Sequence, residues 1–463
     1  MIPLTHSDVD TLLAEHKRYF DTGRTRSIDF RITQLNRLAE AIRKFEKPLL
    51  EAVYKDLHKA PNEAYMTEIG FTLGNIKEAA NKLRRWSKPE RVRSPLYHWP
   101  AKSRVYREPY GTVLIIGPFN YPFHLLVEPL VGAIAAGNCT VLKPSENTPH
   151  VSTVVKEMIA DTFEPGYIRV VEGEKETTSA LIESAFDYIF FTGSPAVGKI
   201  VMAAAAKNLV PVTLELGGKS PAIVERSADL KVTAQRMIWG KLINAGQTCV
   251  APDYVLVENS VKADLIRQLG ETITAFYGED PSTAEYGRIV NERQFDRLAD
   301  ILQRDQSQIV FGGKTDRESL YVEPTLLDSD FRSSAAMEEE LFGPLLPIIG
   351  VDSVDEAIRL VNSRPKPLAL YLFTENKDVT DKVLESCSFG GGSVNDTLAH
   401  LVNSNLPFGG VGQSGVGAYH GRHSYELFSH RKSVVIRSFK LNNSFMFPPY
   451  TADKMKIIKK FLG

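Results

Sequence analysis

Cysteine is scarce in this sequence, and neither sign of charge is in excess. Its 463 residues contain three cysteines, Cys139, Cys249 and Cys387, without CxxC spacing or a Cys/His ladder. A disulfide framework and a zinc site are therefore not predicted, and we expect a reducing compartment, by default the cytoplasm. The 55 Lys and Arg residues balance 56 Asp and Glu residues, which argues against a nucleic-acid partner and favours small-molecule chemistry.

Long hydrophobic runs are also missing. No stretch reaches the roughly 18 apolar residues of a transmembrane helix. The opening "MIPLTHSDVDTLLAEHKRYF" contains acidic residues and lacks the apolar segment of a signal peptide. We therefore expect no transmembrane segment, although the basic and apolar ending "KMKIIKKFLG" leaves an interfacial membrane contact open.

The pattern of the sequence changes near Gly111. Residues 1–86 carry apolar residues at three- and four-residue spacing, which predicts helices. After Gly111, short β-branched runs alternate with helical segments, which is typical of βαβ units and a mostly parallel sheet. The predicted strands are "TVLIIG", "CTVLKP", "IRVVE", "YIFFTG" and "VTLELGG" in a first set, and "YVLVE", "QIVF", "LLPIIG" and "ALYLF" in a second. The predicted fold class is α/β with a Rossmann-like domain, a second α/β domain, and a small β arm from residues 88–111 and the tail strand "KSVVIRS".

A glycine turn follows the predicted strand "YIFF". The sequence "FTGSPAVGK" (191–199) opens an alanine-rich helix, so its backbone N–H groups would face an anion such as a phosphate. It is not the GxGxxG fingerprint. It nearly matches the P-loop pattern, but Ile200 stands where that pattern needs a hydroxyl for magnesium. A plain tight turn is the alternative interpretation.

Three side chains on loops or strand ends are candidates for chemistry. Cys249 lies in "NAGQTCVAPDY", where Gly246 is a predicted helix stop and Pro252 blocks a new helix, so a reactive loop cysteine competes with a buried inert thiol. Glu215 stands between two leucines in "VTLELGG", a setting that suits a general base or a structural glutamate. Asn120 in "GPFNYPFH" either donates to an oxyanion or caps the next helix.

Together, these motifs resemble the aldehyde dehydrogenase superfamily over nearly the whole chain. The order and spacing of "GPFNYPFH", "FTGSPAVGK", "VTLELGGKSP", "NAGQTCVAPDY", "EEELFGPLLP" and "NLPFGGVGQSGVG" carry the resemblance. The words "NAGQTCVAPDY", "VLKPSE" and "FPPYT" are similar to the class 3 branch, that of fatty and aromatic aldehyde dehydrogenases. The resemblance implies an NAD(P)-binding domain of residues 1–86 and 111–213, a catalytic domain of 214–415, and an oligomerisation hairpin and carboxyl-terminal arm of 87–110 and 416–463.

The resemblance also implies roles for the three candidate side chains. Cys249 matches the family's nucleophile, Asn120 its oxyanion-binding amide and Glu215 its general base. The thiolate would add to the aldehyde carbonyl, and the Asn120 amide and the Cys249 backbone N–H would hold the resulting oxyanion. Hydride would pass to a nicotinamide, and Glu215 would activate the water that hydrolyses the thioester to a carboxylic acid.

The resemblance implies six further residues that bind NAD or NADP, and it implies no metal site. Lys143 and Glu146 would lie at the adenosine ribose. Gly193 and Ser194 would lie at the turn beside the pyrophosphate, and Glu340 and Phe342 at the nicotinamide ribose. The mixed charges of the first pair predict use of both cofactors. Glu340 ends a run of three glutamates, so a solvated helix charge is its alternative interpretation, and only the alignment to "ELFGP" favours it over Glu339.

A second class of function stays open from the sequence. A cysteine hydrolase or acyltransferase would pair Cys249 with a histidine and need no redox step, yet no histidine stands in an evident triad setting. In the leading interpretation, the substrates are medium- or long-chain aliphatic or aromatic aldehydes. Class 3 relatives form dimers, so we expect a homodimer in which "KSVVIRS" and the 88–110 hairpin supply a sheet that continues into the partner.

Overall fold

The computed structural model describes residues 3–95, 98, 100–440 and 446–462. The predicted hairpin 87–110 therefore includes three residues outside the described ones, and the predicted arm 416–463 includes six.

Helices surround the sheets on both faces. They are α1 His6–Asp21, α2 Ile28–Lys44, α3 Glu46–Leu57, α4 Pro61–Ala64, α5 Phe71–Trp86, α6 His124–Ala136, α7 Pro149–Thr162, α8 Lys175–Ile182, α9 Pro195–Lys207, α10 Leu230–Leu242, α11 Lys262–Tyr277, α12 Glu292–Arg304, α13 Val354–Asn362, α14 Lys377–Ser386, α15 Ala399–Val402, α16 Gly421–Leu427 and α17 Ala452–Leu462. A π-helical turn, Tyr65–Gly70, joins α4 to α5. Within the described ranges, no helix is both long and apolar enough to cross a membrane.

The strands form two large sheets, a small arm sheet and a two-stranded ribbon. They are β1 Glu90–Val92, β2 Ala101–Pro109, β3 Thr112–Ile116, β4 Cys139–Lys143, β5 Ile168–Val170, β6 Tyr188–Gly193, β7 Val212–Leu216, β8 Pro221–Val224, β9 Tyr254–Glu258, β10 Ile309–Phe311, β11 Thr315–Asp316, β12 Tyr321–Val322, β13 Thr325–Asp328, β14 Leu345–Val351, β15 Ala369–Phe373, β16 Gly391–Val394, β17 Gly415–Val416 and β18 Ser429–Arg437.

The first large sheet has the order β17-β7-β6-β3-β4-β5 and is parallel except for β17. Every residue of β3 and β4 is buried. Such strands need apolar and β-branched residues on both faces, because helices cover both sides of a parallel sheet. Since parallel strands end at one edge, the segments that follow β3, β4, β6 and β7 meet there.

The second large sheet has the order β10-β13-β14-β9-β8-β15-β16 and is parallel except for β10. Only four residues, 217–220, separate β7 of the first sheet from β8 of the second. The loop that carries Cys249 lies between α10 and β9, so it enters the second sheet beside β8. The two sheets are thereby brought together at the ends of β7 and α10.

The arm sheet has the order β1-β2-β18. All nine residues of β2 pair with β18 in antiparallel register, from Pro109 opposite Ser429 to Ala101 opposite Arg437. The predicted tail strand "KSVVIRS" is confirmed by β18. The α/β fold class, with two parallel-core sheets and a small antiparallel arm, is confirmed as well.

Two details differ from the expectations. The helix before Cys249 ends at Leu242 and not near Gly246. The short strands β8, β13, β16 and β17 had no strong signal in the sequence. The last of these places Gly415 opposite Glu215, so the chain returns to the first sheet beside a candidate catalytic residue before it enters the arm.

Candidate active site

Candidate residues from distant parts of the sequence meet at the carboxyl edge of the first sheet. Lys143 and Gly193 are the last residues of β4 and β6. Asn120 lies in the loop after β3, and Glu215 is the next-to-last residue of β7, paired with Thr192. This edge is where open α/β sheets bind ligands, because the strand ends and helix amino termini leave a crevice there.

The loop that carries Cys249 begins with an unusual backbone. Asn244, Ala245 and Gly246 all adopt left-handed conformations, with φ of 55°, 51° and 77°. For Ala245 this conformation costs about 1 kcal/mol, because its Cβ crowds the following carbonyl. A Cβ at Gly246 would collide with the carbonyl oxygen of Gly343. The surrounding structure must therefore hold this turn in place.

Side chains of the loop itself hold the turn. Asn244 Nδ2 donates to the carbonyl oxygens of Asn120 at 2.7 Å and Gln247 at 3.1 Å. Gln247 Nε2 donates to the carbonyl oxygens of Asn244 and Arg288, and its Oε1 accepts from the Val290 N–H. These buried hydrogen bonds fix the direction in which the chain approaches Cys249.

Asn120 contacts this same loop. Its Nδ2 donates to the Gln247 carbonyl at 3.0 Å, two residues before Cys249, and the side chain is buried. An amide nitrogen carries two hydrogens, and this nitrogen has no other acceptor among the described residues. One N–H therefore anchors the side chain to the loop while the other remains free to donate.

The Cys249 thiol is unpaired and partly exposed. Burial among neighbouring atoms, together with the negative charges of Glu340 and Glu215, raises the pKa of Cys249 to about 12. The backbone N–H groups of Cys249 and Val250 oppose this shift by hydrogen bonding to the sulfur. The thiol thus holds its proton at neutral pH until a base takes it, and the two carboxylates are its charged neighbours.

Glu215 is almost completely buried, at 3% exposure. Neither carboxyl oxygen has a hydrogen-bond partner within the part of the chain that the structure describes. Burial alone raises the pKa of Glu215 well above its ordinary value. A carboxylate whose pKa is raised is a stronger base, once ionised, than an ordinary glutamate.

The run of three glutamates divides between solvent and interior. Glu338 pairs with Arg304, and Glu339 pairs with Arg297 at 3.2 Å on the surface. Glu340 turns inward and accepts the Gly218 N–H, and burial raises the pKa of Glu340 to about 8. The run follows a short 3₁₀ turn and is not helical, so the solvated helix charge does not describe Glu340.

The backbone around Glu340 is shaped to receive it. A Cβ at Gly217 would collide with the Glu340 carboxylate, so the glycine permits this close approach. Two residues later, Phe342 has a left-handed conformation with φ of 46°. The ring of Phe342 lies edge-on to the ring of Phe119, with ring centres 5.6 Å apart. Phe119 directly precedes Asn120 in the sequence.

The pair expected at the adenosine ribose is an internal ion pair. Lys143 is buried at the end of β4, and its Nζ donates to the Pro144 carbonyl at 2.8 Å and to Glu146 Oε2 at 3.0 Å. Glu146 is about half exposed. Its carboxylate can therefore accept hydrogen bonds from outside while Lys143 offsets its charge.

The glycine turn leads directly into α9. Ser194 is the helix cap, and its Oγ accepts the Val197 N–H at 3.4 Å. A Cβ at Gly193 would press on the Phe191 ring. Ile200 lies exposed on α9, so this helix offers no hydroxyl where a P-loop needs its magnesium ligand.

No described histidine hydrogen-bonds to Cys249, which disfavours a cysteine–histidine pair. His124, His400 and His420 are buried, and burial lowers the pKa of each. Across the described ranges, no group of three or more His, Cys, Asp or Glu side chains is placed to hold a metal ion. A cysteine on a rigid loop, with the negative charges of Glu215 and Glu340 acting on it at the edge of a parallel sheet, is typical of enzymes that form covalent intermediates.

Comparison with known proteins identifies the family. The model of the aldehyde dehydrogenase family matches residues 3–434, and the chain belongs to that family. It is an NAD(P)-dependent aldehyde dehydrogenase of the class 3 branch.

Three relatives and one solved structure show how far the similarity extends. The chain is 54% identical to the 4,4'-diaponeurosporen-aldehyde dehydrogenase of Staphylococcus aureus, over 96% of this chain and 97% of that one. It is 44% identical to human aldehyde dehydrogenase family 3 member B1 (95% and 94% covered) and 42% identical to the mouse dimeric NADP-preferring aldehyde dehydrogenase (96% and 99%). The solved substrate-bound state of Staphylococcus aureus AldH superposes with a TM-score of 0.97 at 52% identity, covering 98% and 99% of the two chains.

Sequence reasoning missed three residues beside this site. Asn244 lies two residues before Gly246, and asparagine tolerates the left-handed conformation that begins this turn. Lys59 and Glu68 lie in the amino-terminal segment and meet the Asn120 loop and the start of α6 only in the fold. Their spacing of nine residues gives no signal on its own.

Proposed function

We propose that this enzyme oxidises aldehydes to carboxylic acids through covalent chemistry at Cys249. The observation that carries the proposal is the contact between the Asn120 amide and the cysteine loop, with Glu215 and Glu340 as the charged neighbours of the thiol. The sulfur adds to the aldehyde carbonyl and forms a thiohemiacetal. Its oxyanion accepts hydrogen bonds from the free Asn120 N–H and the Cys249 backbone N–H.

Proton transfer falls to Glu215. The negative charge of an ionised Glu215 raises the pKa of the Cys249 thiol, so ionisation of one group opposes ionisation of the other, and Glu215 is assigned to the hydrolytic half of the reaction. After the thiohemiacetal is oxidised to a thioester, the ionised Glu215 takes a proton from the attacking water, and the carboxylic acid leaves. A bound nicotinamide cofactor supplies the hydride acceptor that no side chain can provide.

We further propose that both NAD and NADP bind at this edge of the sheet. The buried Lys143 with its half-exposed partner Glu146, the α9 amino terminus at Ser194, and the inward Glu340 beside Phe342 would hold the adenosine ribose, the pyrophosphate and the nicotinamide ribose. The glycine that makes room for Glu340 supports this fit. Because Lys143 offsets Glu146, a 2′-phosphate is not strongly repelled, and one relative is named NADP-preferring.

The substrates that we propose are medium- or long-chain aliphatic or aromatic aldehydes. Tyr65, Met66 and Trp239 are large apolar side chains that are 43%, 50% and 41% exposed. Tyr65 and Met66 follow Glu63, which accepts the Asn244 N–H of the cysteine loop. Trp239 lies on α10, the helix that leads into that loop. Exposed apolar groups near a site favour an apolar ligand, and one relative is named for a carotenoid aldehyde.

A homodimer completes the proposal. β18 is an edge strand of the arm sheet and β16 an edge strand of the second large sheet. Val435 and Ile436 on β18 are about half exposed. Unpaired strand edges invite pairing with another chain, and one relative is named dimeric. The proposal also includes the division of the chain into an NAD(P)-binding domain (1–86 and 111–213), a catalytic domain (214–415) and an oligomerisation arm (87–110 and 416–463). It includes a cytoplasmic location, which suits three unpaired cysteines.

One experiment separates oxidation from hydrolysis. The protein is mixed with a panel of aliphatic and aromatic aldehydes and NAD or NADP, and NAD(P)H absorbance is followed. We expect NAD(P)H and free acid in equal amounts, lost in Cys249→Ala and kept in the matched controls Cys139→Ala and Cys387→Ala. Ester hydrolysis without NAD(P)H formation from any aldehyde would favour the cysteine hydrolase instead.

A further inference from the structure

A completely buried ion pair lies behind Asn120. Lys59 Nζ and Glu68 Oε1 are 2.7 Å apart, and both side chains are 0% exposed. Removing two charges from water costs several kcal/mol per ion, and apolar replacements are often as stable or more stable. The presence of this pair therefore calls for a role other than stability.

Glu68 caps the helix that follows Asn120. Its second oxygen accepts the N–H groups of Phe123 at 2.9 Å and His124 at 3.3 Å. α6 starts at His124 and has no cap from its own Phe123 side chain. The free N–H groups and the positive end of the helix dipole attract a carboxylate. Glu68 thus fixes where α6 begins, only a few residues after Asn120.

Lys59 reaches the backbone of Asn120 directly. Its Nζ donates to the Asn120 carbonyl at 3.4 Å and lies 4.2 Å from the centre of the Tyr121 ring. The same carbonyl accepts Asn244 Nδ2 at 2.7 Å from the cysteine loop. Asn120 is therefore clamped from two sides, by the ion pair and by the loop that carries the nucleophile.

One helical segment makes both contacts. Glu68 lies in the π-helical turn Tyr65–Gly70, and Glu63 of the preceding α4 accepts the Asn244 N–H at 2.8 Å. π-helical turns occur often at functional sites, because the widened turn redirects side chains. Here the segment 61–70 holds the start of α6, just after Asn120, through Glu68 and the cysteine loop through Glu63.

We propose that Lys59 and Glu68 are positioning residues for aldehyde oxidation, because their ion pair sets the Asn120 amide against the Cys249 loop. This inference rests on the proposed oxyanion role of Asn120. The pair touches neither substrate nor cofactor in the proposed function. It acts through the Asn120 backbone.

The test compares burst rate with burst amplitude in Lys59→Met and Glu68→Gln. A displaced oxyanion donor slows the NAD(P)H burst itself, and we expect a loss of about tenfold to a hundredfold, less than the roughly 10² to 10³ for deleting a donor. The cofactor dissociation constant, measured by fluorescence titration, should stay within about twofold. A purely structural role would lower the amplitude, which counts folded sites, and leave the rate constant of the remaining molecules unchanged; that result would overturn the proposal.

Two further variants keep the test decisive. Lys59→Met combined with Glu68→Met leaves neither partner of the ion pair behind as an unpaired buried charge, which reduces the folding penalty of the single changes. It should still show the slow burst, and a parental rate would count against positioning. Glu128→Gln is the matched control, since Glu128 is a buried carboxylate on the same α6 and accepts Asn75 Nδ2 at 3.0 Å without contacting Asn120. It should keep the parental burst.

The Asn120→Ala background separates this inference from the proposed function. Adding Glu68→Gln to Asn120→Ala should cost little more, because the group that the pair positions is already gone. If Asn120→Ala leaves the burst rate unchanged, the oxyanion role of Asn120 in the proposed function fails. If Asn120→Ala slows the burst and the Lys59 and Glu68 variants do not, only the positioning role fails.

Discussion

Replacing Glu215 by Gln separates the two halves of the reaction. The side chain is 3% exposed, and neither oxygen has a protein partner in the described part of the chain, so the isosteric amide should fold. Thioester formation should survive as a burst of NAD(P)H near one equivalent per site. Hydrolysis should fall by about 10² to 10⁴, the usual contribution of a positioned general base.

The same variant has a stability signature with a definite sign. Burial raises the pKa of Glu215, so between its ordinary and raised values the folded protein holds one more proton than the unfolded chain. The free energy of unfolding of the parent should therefore fall with rising pH by about 1.4 kcal/mol per pH unit across that interval, and Glu215→Gln should lack this fall. Conversely, steady-state turnover of the parent should rise with pH over the same interval, because only the ionised form accepts a proton.

Denaturant unfolding over a pH series and rapid-mixing kinetics measure both effects. A well-folded Glu215→Gln protein that turns over at the parental rate would refute the role of Glu215 as base. Joint loss of burst and stability would reduce Glu215 to a structural anchor of β7. Dependence of parental turnover on coenzyme A would replace hydrolysis by acyl transfer.

Further predictions concern the amide, the cofactor pair and one buried lysine. Asn120→Ala should slow the NAD(P)H burst by about 10² to 10³, and an unchanged single-turnover rate would reduce Asn120 to a loop anchor. Glu146→Gln should shift the ratio of kcat/KM values toward NADP and Lys143→Ala toward NAD; an unchanged ratio in both would remove this pair from the ribose. Lys241 is buried with no partner for its Nζ among the described residues, and burial lowers the pKa of Lys241 to about 8, so Lys241→Met should raise the free energy of unfolding by about 3 kcal/mol at pH 7. That gain should shrink as the pH rises from about 8 toward 10.5, because the unfolded parent then holds the extra proton; denaturant curves that do not differ would contradict it.

The sequence predicted the parts of the fold that depend on local pattern. β3, β4 and β6 are continuous apolar and β-branched runs between turns, and they are buried on both faces. β8 and β13 have only four residues each. Their place is set by parallel neighbours from distant segments, so composition carries little signal for them.

The candidate site divides in the same way. The neighbouring sequence alone indicates Cys249 as a candidate, because a glycine and a proline place it in a loop. It also indicates Glu215, a carboxylate between two leucines. Which of three successive glutamates turns inward depends on the glycine backbone of residues 217 and 218, more than a hundred positions away. The clamp on Asn120 is likewise built from segments that only the fold brings together.

The central claim is that a carbonyl carbon becomes oxidised while bonded to Cys249. The direct measurement mixes Glu215→Gln with an aldehyde and NAD, quenches the sample in acid and maps the peptides by mass spectrometry. We expect the peptide that contains Cys249 to gain the mass of the aldehyde minus two hydrogens, as an acyl group replaces the thiol hydrogen, in amounts that match the NADH burst. An NADH burst without this adduct, an acyl group on Cys139 or Cys387, or the same acyl group formed without NADH would contradict it.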